Sequence, residues 1–169
     1  LESILIAPRP SDPKSTIRDG LIRQNLRLHA EPGRALLQGC GATLVRVEHC
    51  KPLRDGLVLV GLAMNGSNCR TRKSELLVDP ILIPSGDAPR GPAVSGVLAG
   101  AYCTESDTIM SRILQFPRGV ARGDAVLIPD TAGYYMHFVE SRSHQFPLPL
   151  NLVLDADGGT RIDDIDLTS

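Results

Sequence analysis

The sequence predicts a mainly β protein, an antiparallel barrel or sandwich preceded by a single helix–strand pair. Two observations carry this. From Gly41 onward, short apolar runs alternate with clusters of Gly, Pro, Asp and Asn, the punctuation of an antiparallel β-domain. Before Gly41, Ile17, Leu21, Ile22 and Leu26 recur at helical spacing, and Leu26–Ala30 then alternates apolar and polar residues in the period of a strand. A length of 169 residues accommodates one domain with a core, or one domain and a fragment of another. A hydrophobic content of 42% and a net charge of −1 describe an ordinary globular chain.

Taken in order, Leu1–Ala7 reads as part of an apolar element, interrupted by Pro8, Pro10 and Pro13. With leucine rather than methionine first, we expect a fragment or the ordered part of a longer protein. Asp12-Pro13 offers an N-cap acid and a proline at the first helical position, which predicts a helix over 13–25. The strand 26–30 follows. It leads into Glu31-Pro32-Gly33-Arg34, where proline at the second position and glycine at the third predict a type II turn that brings an acid and a base together. The expected strands after it are Thr43–Cys50, Leu57–Ala63, Leu76–Ile83, Val94–Tyr102, Ile109–Phe116, Ala125–Ile128, Tyr134–Phe138 and Leu150–Leu154. Arg122-Gly123-Asp124 and Asp157-Gly158-Gly159 are turn chemistry. The acidic stretch from Asp155 to Asp166 lacks the glycine and flanking helices of a calcium loop, and reads as a hairpin with an acidic tail.

Several function classes are disfavoured. No apolar run reaches the length of a membrane span, and the first residues do not form a cationic, hydrophobic leader. The arginines are scattered, without the electrostatic footprint of a nucleic-acid binder. The four cysteines, Cys40, Cys50, Cys69 and Cys103, match neither a zinc ribbon nor a redox pair, and His49 beside Cys50 reads as packing, so no metal site is expected. A reduced, cytoplasmic setting fits this pattern, and the glycosylation-like Asn65-Gly66-Ser67 carries no weight in it.

Three segments bear chemistry. Glu31 and Arg34 lie at a strand end, where α/β folds keep ligands, although a solvated surface ion pair is the plainer reading. Gly100-Ala101-Tyr102-Cys103-Thr104-Glu105-Ser106-Asp107 puts a thiol before carboxylates, just past an apolar strand. Acids near a thiol raise its pKa, which suits a proton donor better than a standing nucleophile; the alternative is a buried cysteine ending a strand. Asp130-Thr131-Ala132-Gly133-Tyr134-Tyr135 offers small residues that let backbone approach a ligand, and a tyrosine hydroxyl that can donate to phosphate.

In this order, the segments resemble the PLP-dependent decarboxylases of the alanine-racemase-like fold, comprising ornithine, arginine and diaminopimelate decarboxylases. Their pattern runs Glu-Pro-Gly-Arg, then Gly-x-x-Cys-acid-x-x-Asp, then Gly-Ala-Tyr, then Phe-Asn-Gly-Phe. Here it runs Glu31–Arg34, Gly100–Asp107, Gly133-Tyr134-Tyr135 and Ser143-His144-Gln145-Phe146. The resemblance covers most of 13–155. It implies that 1–34 is the last helix and strand of an N-terminal (β/α)8, or TIM, barrel that binds the cofactor, and that 35–169 is the Greek-key-like C-terminal β-domain. It implies pyridoxal 5'-phosphate (PLP) as cofactor and an amino acid as substrate. Glu31 would meet the pyridine nitrogen, Arg34 and Tyr135 the phosphate, and Gly33 would also line the cofactor. Cys103 would protonate the product of a Schiff-base decarboxylation from across a homodimer interface, and Glu105 and Asp107 would face the substrate.

The departures are specific. The family acid after the cysteine is Thr104 here, with Glu105 one residue later, which puts a simple diamine precursor in doubt. Ser143-His144-Gln145 removes an aromatic wall. Met64-Asn65 is similar to a family Gly-Met-Asn run, but the segment with Arg70 and Arg72 after it departs. None of Lys14, Lys51 and Lys73 sits in the context of the Schiff-base lysine, so this stretch alone is expected to be inactive. Two rivals stay open: a racemase or related enzyme of the same fold, and a cofactor-free homologue acting as a regulatory or binding protein.

Overall fold

The structure is a computed structural model, and it describes residues 2–69, 73, 76–86, 89–133 and 148–163. The chain divides into two compact units, one up to Gly33 and one from Arg34 onward.

The first unit holds a short helix α1 (Glu2–Leu5), a two-stranded antiparallel ribbon of β1 (Pro8–Arg9) and β2 (Asp12–Thr16), and helix α2 (Ile17–Arg23). The helix expected from Pro13 therefore starts four residues later. Residues 12–16 pair with β1, and Thr16 caps the helix instead. The Thr16 hydroxyl accepts from Asp19 N at 3.1 Å while Thr16 N donates to Asp19 Oδ2 at 2.8 Å. That reciprocal pair outcompetes Asp12-Pro13, whose acid serves the nearby Ser15 side chain and Lys14 N. The helix ends in a Schellman motif: Asn25 turns left-handed at φ 49°, and Leu26 N reaches back to Leu21 O at 2.9 Å.

Residues 26–30 form no strand. Alternation supplies an amphipathic segment but not a ladder partner, and among the described residues no strand pairs with it. Leu26 and Leu28 stay more than half exposed. The type II turn is also absent, because Gly33 is not among the glycines at positive φ. Glycine permits that conformation without compelling it, and Arg34 instead opens a 3₁₀ turn over Arg34–Leu37.

The second unit is built on a six-stranded, nearly closed sheet. Its strands are β3 (Ala42–Pro52), β4 (Leu57–Leu62), β5 (Ile81–Ile83), β6 (Val94–Ala99), β7 (Leu114–Phe116) and β8 (Ala125–Pro129), in the order β5-β8-β3-β4-β6-β7. The first half of β3 pairs with β8 and the second half with β4, with a register shift between Val47 and His49. At that shift one long strand passes from one half of the sheet to the other, as barrels and sandwiches require at their corners. Every ladder is antiparallel except β4–β6, which makes the sheet mixed. A separate hairpin follows, β9 (Leu152–Leu154) with β10 (Thr160–Ile162), turning at Gly158 with φ 86°. This is the hairpin expected of the acidic end; residues 164–169 lie outside the described set.

Alternation explains the core. Val45 and Val47, Val60 and Leu62, Leu114 and Phe116, and Val126 and Ile128 are buried from alternate positions of their strands. The expected strands Leu76–Ile83 and Ile109–Phe116 shrink to their last three residues. Pro80 cannot donate to a ladder, and Arg112 pins the preceding turn by donating to Leu76 O and Asp79 Oδ1. The expected strand Tyr134–Phe138 lies outside the described residues.

At Gly96 the sheet leaves no room for a side chain because main chain occupies the space. A Cβ on Gly96 would collide with the carbonyl oxygen of Val58 and meet the Phe116 ring at 3.3 Å. Gly96→Ala is expected to destabilise the unit by about 1–3 kcal/mol, the usual effect of overpacking. A thermal melt checks this, and an unchanged Tm would show that the β4–β6 ladder yields freely.

Candidate functional site

Among the described residues, the sequence candidates of the second unit fall in two clusters. The first surrounds Arg34. This half-buried side chain lines a cavity of about 300 Å³ with Ala35, Leu37, Gln38, Leu76, Leu77, Val78, Pro129 and Asp130. Arg34 is the one cation among these residues and Asp130 the one carboxylate. Asp130 follows β8 in the left-handed region at φ 56°, a conformation aspartate tolerates, and its Oδ1 accepts from Gly39 N at 2.8 Å. The segment after Arg34 and the Asp130–Gly133 segment, far apart in sequence, thus meet. Behind them Thr131 is fully buried, with its hydroxyl 2.9 Å from that of Thr43.

The second cluster carries Cys103. The chain leaves β6 at Ala99 and makes a tight loop closed by Gly100 N donating to Asp107 O at 2.7 Å. Cys103, Thr104, Glu105 and Ser106 are exposed at its rim, and Cys103 forms no disulfide. The rim is organised locally: Asp107 N donates to Thr104 O at 3.0 Å, and the Thr108 hydroxyl to Glu105 O at 2.9 Å. Asp107 itself points inward, only 5% exposed. Its Oδ1 accepts from Gly66 N at 2.5 Å and its Oδ2 from Tyr102 N at 2.8 Å. A Cβ on Gly100 would fall on this carboxylate.

The loop rests on Met64–Asn68, the run that sequence alone left without a role. Ala101 N donates to Met64 O at 2.7 Å, and Asn65 N to Asn68 Oδ1 at 2.7 Å. Asn65 is fully buried, so it presents no glycosylation acceptor in this fold. Its Nδ2 and that of Asn68 are buried donors without a hydrogen-bond partner among the described residues. The sequence signal for this platform is Asn65-Gly66-Ser67-Asn68 directly after an apolar strand, which is turn chemistry placed where a sheet delivers its loops. A polar contact from the Thr43 hydroxyl to Cys69 Sγ at 3.8 Å joins the platform to the Thr43–Thr131 pair of the first cluster.

Glu31 and Gly33 are exposed and belong to the first unit. Tyr135, Arg70, Arg72 and Ser143–Phe146 lie outside the described residues. Among the described residues no group of three or more His, Cys, Asp or Glu could hold a metal ion, and no helix is long and apolar enough to cross a membrane. Cys50, by contrast with Cys103, is half-buried, and burial together with the charge of Asp124 pushes its thiol pKa up.

No family model matches the chain. An uncharacterized protein of Sinorhizobium fredii, y4yA, is 37% identical over 143 residues, which is 82% of this chain and 31% of that protein. A crystal structure of diaminopimelate decarboxylase superposes with a TM-score of 0.59 at 21% identity, covering 81% of this chain and 34% of the other. The arginine decarboxylase of Paramecium bursaria Chlorella virus, bound to agmatine, gives 0.54 at 21% identity, covering 79% and 36%. The chain has the fold of the PLP-dependent amino-acid decarboxylases. It matches their C-terminal domain in part and spans about a third of the length of the proteins it matches. The fold expected from the sequence, a β-domain of this family, is therefore the one observed, with a single parallel ladder added.

Proposed function

We propose that this chain is the C-terminal portion of a PLP-dependent amino-acid decarboxylase that works as a homodimer with shared active sites. The observation that carries the reading is the decarboxylase fold, within which the Cys103 loop is rigidly braced and its thiol exposed. Related decarboxylases of this fold use PLP. The donor types fit that cofactor. A guanidinium lining a cavity of about 300 Å³ suits a phosphate monoester, and a carboxylate suits a protonated ring nitrogen.

In this reading Arg34 holds the phosphate together with Tyr135, Glu31 holds the ring nitrogen, and Gly33 also binds the cofactor. When bound, PLP supplies an electron sink for the pair left behind by carbon dioxide. Cys103 Sγ holds the proton that is delivered to the carbon that lost its carboxylate, and the thiol comes from the partner subunit. Glu105, the exposed carboxylate of the motif, faces the substrate. The barrel with the Schiff-base lysine belongs to the full-length protein in this reading, and the present stretch alone is inactive.

The test is optical first. Full-length protein incubated with PLP should take up the cofactor with the absorbance of a lysine-bound form, and borohydride should fix it to a lysine. No uptake would sink the enzyme reading and leave a cofactor-free binding or regulatory homologue. Uptake without carbon dioxide release across a panel of amino acids would favour a racemase of the same fold.

A further inference from the structure

We infer that Asp107 is a positioning residue that clamps the Cys103 loop onto the Met64–Asn68 platform; this rests on the reading of Cys103 as a proton donor. Both carboxylate oxygens are engaged by main-chain donors from two different segments, Gly66 N at 2.5 Å and Tyr102 N at 2.8 Å. The Tyr102 amide immediately precedes Cys103, so fixing it fixes the backbone from which the thiol projects. The Gly66 amide lies 41 residues away in sequence, so the same carboxylate anchors the loop to a second element. Hydrogen bonds to an ionised carboxylate are short and about twice as strong as neutral ones.

Three further features make the clamp specific. Gly100 is the one residue type that leaves room for the carboxylate, because a Cβ there would occupy its place. The main chain of Asp107 closes the same loop through Gly100 N. Ala101 N adds a tie to Met64 O at 2.7 Å, so both residues preceding Cys103 have their amides fixed. With Asp107 only 5% exposed, the substrate contact that the resemblance implies for it passes to Glu105 on the rim.

The experiment compares wild-type full-length protein with Asp107→Ala and Gly100→Ala. Hydrogen exchange is followed by mass spectrometry on peptides spanning 65–67 and 101–103, and Cys103 alkylation by iodoacetamide on its own peptide. Exchange at Gly66 and Tyr102 should accelerate about tenfold or more in both variants, the loss of roughly one charge-assisted hydrogen bond each, while β3 and β4 stay protected. The Cys103 alkylation rate should change about threefold or more as the loop loosens. In holoenzyme, kcat should fall with KM nearly unchanged.

Asp107→Asn keeps one acceptor oxygen and should restore protection at one of the two amides; it carries the same test should Asp107→Ala not fold. Unchanged exchange at both amides in Asp107→Ala overturns the clamp. So does accelerated exchange with Cys103 reactivity unaltered, or a raised KM with both amides still protected, which would return Asp107 to the substrate. Failure of the wild-type protein to take up PLP defeats the decarboxylase reading instead, and exchange with alkylation then decides the clamp without it.

Discussion

Replacing Asp124 by alanine is expected to destabilise the β-unit by about 3–5 kcal/mol, the usual effect of removing one partner of a buried ion pair. The Asp124 side chain is 0% exposed and that of Arg90 28%. Four donors converge on its two oxygens: Arg90 Nη2 at 2.5 Å and Ser85 N at 2.8 Å on Oδ1, and Arg90 Nη1 and Ala121 N, both at 2.9 Å, on Oδ2. Alanine leaves a guanidinium and two amides without their acceptor. It also loosens the turn whose Asp124 carbonyl accepts from Val47 N at 2.7 Å, at the corner of β3. Two residues away, Arg122 makes only a 3.9 Å approach to Glu48 with 80% of its side chain exposed. Arg122→Ala should change stability by no more than about 0.5 kcal/mol. Thermal melts of the two variants separate these cases. At about 2–4 °C per kcal/mol for a chain of this size, Asp124→Ala should melt well over 5 °C lower. A loss no larger than that of Arg122→Ala would mean that the cluster adds nothing net.

The same residue gives stability a pH dependence with a definite sign. Burial alone would raise the Asp124 pKa, but the Ser85 and Ala121 amides and the Arg90 guanidinium outweigh it and hold the carboxyl below its ordinary 3.8. A carboxyl with a depressed folded-state pKa contributes stability that is fully present above the unfolded value. That contribution is lost as pH falls through the folded value. Urea midpoints should therefore decline below about pH 4, and the decline should be shallower in Asp124→Asn, which has no proton to gain there. Parallel curves for the two proteins would remove Asp124 from the acid limb.

Particular residues show why some of this was legible in the sequence and some was not. The alternation Val45, Val47 and the apolar runs of β4, β6 and β8 report burial directly, because a strand with one buried face must place apolar residues at every second position. Alternation does not report partners. Leu26–Ala30 has the pattern of a strand but no neighbour to pair with among the described residues, and the parallel β4–β6 ladder joins strands separated by more than thirty residues. At the helix start two caps competed, and Thr16 with Asp19 satisfied backbone donors in both directions where Asp12 did not. In the site, a motif gives residue types and spacing but not direction. Cys103 and Asp107 stand four apart, yet the first is exposed and the second is turned inward to the main chain. Gly100, which the motif also contains, is explained only once the carboxylate is seen to occupy the space of its missing side chain.

If Cys103 delivers the proton, Cys103→Ala in the full-length protein should lower correct product formation about 100-fold or more, the lower end of what a positioned general acid contributes. Cofactor affinity should change little, because the side chain is exposed at the rim of its loop and belongs to a different cluster from Arg34. Stability should stay within about 0.5 kcal/mol for the same reason. An equal loss of cofactor binding and product formation would take Cys103 out of the chemistry. The dimer in this reading adds a sharper version of the experiment. Mixing Cys103→Ala with a variant lacking the Schiff-base lysine, each inactive alone, should restore about a quarter of wild-type activity. Half of the randomly formed dimers are then mixed, and each of those carries one intact site of two. Formation of the correctly protonated amine product against mixing ratio reads this out. No recovery, in a mixture shown by native mass spectrometry to have exchanged subunits, would place the thiol in the same subunit as the lysine and remove the shared site.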